Sequence, residues 1–323
     1  MHFRAFIFSL FLLICLAGCD QAPEQTYAPP TMGGKAYILT ATDHIAVVDL
    51  ATTALTRIKM DKKAIDLAII NKELYVLAAD GTLATTKEGT TLTPWQPGAP
   101  SALAMTAAAD NKSLWILAGK TVQQFIPGQG QGKTIPLDGD YSSLFVGGST
   151  ETPILWLIDS QKSTARPLDL TTAKTGTPIA NIGNSIHGGL ATAGSNELWL
   201  AEGNEYMNGK PYGVGYAPSG TPAMPGGVNV IDLKTGAQSD FIMVGGNVAD
   251  LAIDPGHTKM YSATSQLPEY TESTLSLIDI KARRVTAELR LCEACHQEQN
   301  ILLEKGQGKV LAVAVIWPEG GVR

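Results

Sequence analysis

The sequence lacks the short motifs that mark common enzyme classes. It contains no G-x-S-x-G nucleophile elbow, no metal-protease helix motif, no P-loop and no dinucleotide-binding fingerprint after a strand. Beyond the first 19 residues, no segment has the sustained 3.6-residue hydrophobic period of a helix. The chain therefore has no recognisable catalytic constellation, and an electron-transfer or binding role is favoured over an enzymatic one.

The N-terminal apolar run, Ala5 to Leu16, is too short to span a membrane comfortably and follows the basic Arg4, which is typical of a secretory signal. It ends in Leu16-Ala17-Gly18-Cys19, which resembles the lipobox of bacterial lipoproteins; the alternative is an ordinary signal peptide. The resemblance implies a signal peptide at 1–18, acylation of Cys19 by chains such as palmitate, and a periplasmic domain anchored to the lipid membrane. Asp20 after the cysteine implies the inner rather than the outer membrane.

The net charge is negative. Loss of residues 1–18 removes Arg4 and lowers the 24 basic residues to 23, against 30 acidic ones, which leaves a net charge of −7. Such a balance argues against a nucleic-acid partner and suits docking to a basic redox protein. Residues 19–34 comprise the lipidated cysteine and a flexible tether rich in Pro, Gln, Thr and Gly.

A strand pattern repeats from residue 35 to the C-terminal region. Third strands that close on aspartate recur at 45–50, 228–233 and 275–280, and these aspartates are expected to cap turns. Second strands such as Leu74-Tyr-Val-Leu and Leu198-Trp-Leu-Ala match one another. Four-stranded units repeating at about 40 to 50 residues indicate an all-β fold, a single β-propeller over 35–323.

The V-I-D-L turns and the D-P-G turn at 254–256 resemble the YVTN-type propellers, a group that includes cytochrome d1-like domains. The resemblance covers nearly all of 35–315 and implies the fold rather than a function. Inner strands are expected to start near residues 64, 101, 142, 186, 248 and 299. Because Lys309 to Val315 and Lys35 to Thr40 both have the pattern of a second strand, the sequence predicts either six or seven blades.

Only four cysteines occur, and two of them, Cys15 and Cys19, belong to the N-terminal signal region. The other two lie in Cys292-Glu-Ala-Cys295-His296, a C-x-x-C-H sequence at 292–296 that is the attachment motif for one covalent haem c. Each thiol can form a thioether to a haem vinyl group, and His296 is then the proximal ligand of the iron. An oxidising periplasm suits this chemistry.

Two alternatives to haem remain open. Only 27 residues follow His296, so the chain has no room for a helical cytochrome domain after the motif, and propeller loops would have to bury a haem. A structural Cys292–Cys295 disulfide is the main alternative. Zinc, copper or dithiol redox chemistry is the third, although no second Cys or His cluster is visible.

Candidate distal ligands follow from the blade pattern. Connections from outer to inner strands and from second to third strands open on one face, which carries the motif, His44, His187 and an irregular insertion at about 203–227. This insertion resembles a lid, and a second loop at 266–273 could form its other wall. Met224, Met207, His187 and His44 are the distal candidates, in that order. His257 is expected on the opposite face.

The leading hypothesis is a membrane-anchored periplasmic haemoprotein that relays electrons or assists a partner oxidoreductase. The alternative is a haem-free lipoprotein scaffold that binds a partner protein. A third hypothesis is an enzyme that acts on a small molecule under the lid at 204–226.

Overall fold

The computed structural model describes residues 34–40, 43–86, 91–183, 186–191, 196–203, 226–244, 247–254, 256–265, 274–290 and 310–316. These residues form 24 β-strands and, in the part of the chain so described, no α-helix. The strands build six antiparallel sheets that surround one axis. The prediction of an all-β propeller is therefore confirmed, with six blades.

The first three blades, numbered along the chain, contain the following strands from axis to rim. Blade 1 consists of β24 (Val310–Ile316), β1 (Lys35–Thr40), β2 (His44–Asp49) and β3 (Leu55–Lys59). Blade 2 consists of β4 (Ala64–Ile70), β5 (Glu73–Ala78) and β6 (Leu83–Thr86). Blade 3 consists of β7 (Ala102–Ala107), β8 (Leu114–Ala118), β9 (Thr121–Ile126) and β10 (Gly130–Pro136).

The remaining blades follow the same order. Blade 4 consists of β11 (Ser143–Gly148), β12 (Pro153–Asp159), β13 (Thr164–Asp169), and an outer strand in two pieces, β14 (Lys174–Thr175) and β15 (Ile179–Ala180). Blade 5 consists of β16 (Ile186–Ala191), β17 (Glu197–Glu202), β18 (Gly227–Asp232) and β19 (Gln238–Met243). Blade 6 consists of β20 (Asn247–Ile253), β21 (Lys259–Ser265), β22 (Thr274–Asp279) and β23 (Arg284–Arg290).

The ring closes in blade 1. Strand β24 pairs with β1 in antiparallel register, with Ile38 opposite Val313 and Tyr37 opposite Ala314. The expectation that Lys309 to Val315 is a second strand is therefore wrong: this segment is the inner strand of blade 1, and β1 is the second. The inner strand also begins at Val310 instead of near Gln299, which lies outside the described residues. A seventh blade is not needed.

Two blades have irregular outer strands. In blade 4, Pro167 accepts a hydrogen bond from the Gly176 amide but has no N–H to donate to the outer strand, and that strand is broken between β14 and β15. In blade 2, the outer strand is reduced to short pairings of Gln96 with Leu83 and of Thr93 with Thr85.

The core is a ring of six apolar clusters, one between each pair of adjacent blades. Second strands are covered on both faces, which explains why they have continuous apolar sequences; β8, for example, is buried throughout. Outer strands such as β10 are largely exposed and polar. Because each cluster joins two blades, the blades stabilise one another around the axis.

The aspartates that close third strands stabilise turns, as predicted. Asp49 Oδ1 accepts hydrogen bonds from the Ala51 and Thr52 amides at 3.0 and 2.8 Å. The predicted Asp232 accepts hydrogen bonds from the amides two and three residues ahead in the same way, and so does Asp169, which the sequence analysis did not name. These backbone hydrogen bonds lower the pKa of all three carboxyls.

We expect protonation of these turn carboxylates to destabilise the fold in acid. A carboxyl whose pKa is lower in the folded than in the unfolded chain stabilises the fold above its unfolded pKa, and that stabilisation is lost as the pH falls through the folded pKa. Urea unfolding should therefore have a lower midpoint at pH 3 than at pH 6. Replacing Asp49, Asp169 and Asp232 together by asparagine should reduce this difference, and an unchanged pH dependence would contradict the assignment.

Candidate functional site

The connections that lead from the outer strands into the inner strands lie on one face of the propeller. Each inner strand begins there, and each second strand ends there, because alternate strands of a blade run antiparallel. We call this the upper face. It carries the end of β23 at Arg290 and the start of β24 at Val310, between which the sequence contains the C-x-x-C-H motif. It also carries both ends of the insertion after β17.

A cavity of about 200 Å³ lies on the axis, surrounded by the six inner strands. Its mouth on the upper face includes Ile65 and Leu103, and Leu103 is 48% exposed although it is a large apolar residue. The polar side chains that line the cavity are Asp66, Thr106, Ser142, Ser143, His187 and Asp250. The site therefore combines an apolar rim with a polar and acidic wall.

Asp66 and Asp250 occupy equivalent positions in two inner strands. Each follows a β-bulge and pairs with a second strand, Asp66 opposite Leu77 and Asp250 opposite Ala263. Asp66 Oδ1 accepts a hydrogen bond from the Leu67 amide at 2.7 Å, and Oδ2 accepts one from Met105 of the next blade at 2.6 Å. The carboxylate thus ties blade 2 to blade 3 beside the axis.

Asp250 has the corresponding role at the closure of the ring. Its Oδ2 accepts a hydrogen bond at 3.0 Å from the amide of Val313, which lies in the last strand of the chain and belongs to blade 1. The carboxylate therefore links blade 6 to blade 1. Sequence analysis did not single out either aspartate, although the signal was present: a charged residue interrupts an otherwise apolar inner strand in both A-I-D-L and V-A-D-L.

His187 is the second residue of the inner strand of blade 5; it lies at a bulge and lines the axial cavity, where its side chain is exposed. The two following glycines leave little space: a Cβ at Gly188 would lie 2.4 Å from Asp250 Oδ1, and one at Gly189 would lie 2.7 Å from Phe145. Close packing of the backbone here positions His187 at the cavity wall.

The structure separates the predicted histidines. His44 begins β2, the third strand of blade 1, so two strands lie between it and the axis, and its Nδ1 lies 2.6 Å from Asp43 Oδ1. Among the distal candidates in the described residues, only His187 lines the cavity. His257 lies in the β20–β21 turn on the opposite face, as predicted.

Other predicted site residues lie outside the described residues. They comprise Cys19, Met207, Met224, Cys292, Cys295 and His296, together with most of the insertion at 203–227 and the loop at 266–273. The lipidation site, the haem motif and the methionine ligands therefore stay predictions. Within the described ranges, no group of three or more His, Cys, Asp or Glu could hold a metal ion, and no helix is long and apolar enough to cross a membrane.

The upper face of blade 2 carries an ordered charged cluster. Lys62 Nζ lies 2.8 Å from Asp80 Oδ2 and 5.5 Å from the centroid of the Trp95 ring, a cation–π distance. Trp95 Nε1 donates a hydrogen bond to Asp61 Oδ1 at 2.6 Å. The hydrogen bond from Lys62 is the largest cause that lowers the pKa of Asp80. With its charges paired internally, this cluster orders the connection into β4 rather than forming a binding site.

Comparison with known proteins identifies the fold. No protein-family model matches the sequence, and no curated protein matches it either. Among solved structures, a protein of unknown function from Bacteroides caccae is similar with a TM-score of 0.61 at 10% identity, covering 88% of this chain and 99% of that one. Hydrazine synthase of Kuenenia stuttgartiensis is similar with a TM-score of 0.56 at 13% identity, covering 82% and 81% of the two chains.

A structure of U3-55K is also similar, with a TM-score of 0.52 at 13% identity, covering 79% of this chain and 74% of that one. At such low identity these similarities concern architecture alone, and propellers have many unrelated functions. The chain is a six-bladed β-propeller, and its function has to be argued from its own residues.

Proposed function

We propose that this protein is a membrane-anchored periplasmic haemoprotein that relays electrons or assists a partner oxidoreductase. The observation that carries the proposal is the C-x-x-C-H sequence, Cys292 to His296, in the connection between β23 and β24. Arg290 and Val310 anchor this connection on the upper face, one at the rim and one at the axis. In this proposal the chain's own lipobox at Cys19 supplies the membrane anchor.

The residues around the axial mouth suit a haem. Leu103 and Ile65 offer apolar surface that would contact a porphyrin edge, and Leu103 is 48% exposed. His187 offers an imidazole, the usual chemistry of a second axial ligand. When bound, the haem would supply a one-electron redox centre, while this chain would supply the two thioether sulfurs, the proximal His296 and the apolar rim.

The distance from the propeller axis ranks the candidate distal haem ligands among the described residues. His187 lines the cavity, whereas His44 belongs to a third strand and is close to Asp43. We therefore rank His187 above His44. Met224 and Met207 remain candidates on the sequence alone.

Covalent haem is the decisive test. The full chain, produced in cells competent for cytochrome c maturation, is expected to retain haem after denaturing electrophoresis, because thioether bonds survive denaturation. A double variant, Cys292→Ala with Cys295→Ala, should lose it completely. The readouts are haem staining of the gel and the Soret absorbance of the purified protein.

Ligand variants refine the same experiment. His187→Ala should keep covalent haem but change the visible spectrum if His187 is the sixth ligand, and His257→Ala on the opposite face is the matched control that should change neither. Met207→Ala and Met224→Ala test the other candidates. Absence of covalent haem, together with a Cys292–Cys295 disulfide found by non-reducing mass spectrometry, would overturn the proposal and favour the haem-free scaffold.

A further inference from the structure

We propose that the face opposite the axial mouth, which we call the lower face, is turned toward the membrane and contacts anionic lipid headgroups. The inference rests on the lipid anchor at Cys19 in the proposed function. Inner strands end and second strands begin on the lower face, and β1 is a second strand, so the chain enters the propeller there at Lys35. The Gly34 carbonyl accepts a hydrogen bond from the Leu50 amide at 2.9 Å, which fixes this entry point against a turn of blade 1.

The length of the tether favours this orientation. Cys19 lies fifteen residues before Gly34, and a chain of that length and composition is expected to span about 20 Å on average. To bring the upper face to the membrane instead, the tether would have to pass two further strands of the blade, about 10 Å, and then follow the height of the blade, about 20 Å. A path of about 30 Å exceeds the average span, so the lower face is expected to lie toward the lipid.

A second, independent observation is a ring of lysines on the same face, which we call the lysine ring. Every blade presents an exposed lysine there, and in the order of blades 1 to 6 these are Lys35, Lys72, Lys112, Lys174, Lys234 and Lys281. None of the six forms an ion pair with another described residue. On the upper face, by contrast, Lys120 and Lys162 pair with Asp140 and Asp159 at 3.6 and 2.6 Å. The lower face therefore presents the lysines that are left to bind external anions.

The lysine ring is more exposed than the carboxylates of the neighbouring turns. Asp49, Asp169 and Asp232 are half-buried and accept hydrogen bonds from backbone amides, whereas the lysine side chains are exposed. Ammonium groups are attracted to the phosphates of anionic lipids within the Debye length of about 10 Å. With the lower face on the membrane, the upper face, which carries the ends of β23 and β24, is turned away from the lipid. It is then accessible to a soluble redox partner of the proposed haemoprotein.

Energy transfer from a fluorophore on the protein to a labelled lipid measures the orientation. The lipidated chain with Cys292→Ala and Cys295→Ala receives one new cysteine for labelling, either Thr150→Cys on the lower face or Gln161→Cys on the upper face of blade 4, both at exposed positions. It is added to preformed vesicles of phosphatidylcholine and phosphatidylglycerol that contain a rhodamine lipid. We expect transfer from position 150 to be at least about twofold more efficient, because the height of a blade separates the two labels.

The same assay tests the lysine ring. Replacing its six lysines by glutamine should reduce the difference between the two labels, and Lys120→Gln with Lys162→Gln on the upper face is the matched control that should leave it unchanged. Equal transfer from both labels, or an unchanged difference in the ring variant, would overturn the proposal.

Flotation of the vesicles separates this proposal from the proposed function. The unaltered chain should float with the vesicles, and Cys19→Ser should stay in solution. A chain that did not float would overturn the anchor and this orientation together, whereas a chain that floats with equal transfer from both labels would overturn the orientation alone. Haem plays no part in this assay, because the variant lacks both thioether cysteines, so haem staining remains an independent test.

Discussion

Trp199→Ala is expected to destabilise the propeller by about 3–5 kcal/mol, the usual cost of removing a large aromatic side chain from a core. Trp199 is fully buried in β17 and belongs to the cluster between blades 5 and 6. Its ring centroid also lies 5.8 Å from the guanidinium of Arg283, which forms ion pairs with Glu197 and Asp240. Loss of the indole therefore leaves a cavity where two blades meet.

Urea unfolding of three tryptophan variants measures this effect. Trp199→Phe should cost much less than Trp199→Ala, because Nε1 of Trp199 is buried without a hydrogen-bond acceptor in the described structure and only volume is lost. Trp95→Ala, at a half-buried position on the upper face, should also cost less. If Trp199→Ala were no more destabilising than Trp95→Ala, the cluster between blades 5 and 6 would not have the importance assigned to it.

Gly189→Ala should destabilise the fold by about 1–3 kcal/mol, the range for overpacking a dense core. A Cβ at this position would lie 2.7 Å from Phe145 Cε1 and 2.9 Å from Leu200 Cδ2, and both of these side chains are buried. The buried side chains of Phe145 and Leu200 would have to shift.

Gly139→Ala is the matched control, because a Cβ there meets only Tyr141 at an ordinary 3.5 Å. Its free energy of unfolding in urea should stay within about 0.5 kcal/mol of the unaltered chain, as for most surface substitutions. Equal stability of the two glycine variants would contradict the close packing that positions His187.

The local sequence pattern was sufficient to assign most strands to their positions within a blade, and it was insufficient for one strand. Second strands such as β5 and β8 are covered on both faces, so continuous apolar sequences predict them correctly. The segment Val310–Ile316 has the same continuous apolar pattern, yet it is an inner strand. Its place follows from pairing with β1 at the other end of the chain, and a pairing of such long sequence separation leaves no local signature.

For the candidate site residues, too, the local sequence predicted some features and the tertiary structure set the others. The sequence predicted one face for His187 and His44 because strand direction alternates regularly. Their different distances from the axis depend on the order of strands within a blade, since His187 lies near the start of an inner strand and His44 begins a third strand. Asp66 and Asp250 could be noticed as charges in apolar strands, but their acceptance of amides from the next blade required the closed ring.

By itself the sequence determined the propeller repeat and the turn-capping aspartates, and it predicts a lipobox and a haem-attachment motif, because each is a pattern of neighbouring residues. The tertiary structure alone decided the number of blades, the partner of the last strand and the grouping of His187, Asp66 and Asp250 around one cavity. These features arise when strands far apart in the chain pair and pack, and the closure of the ring sets which side chains face the axis.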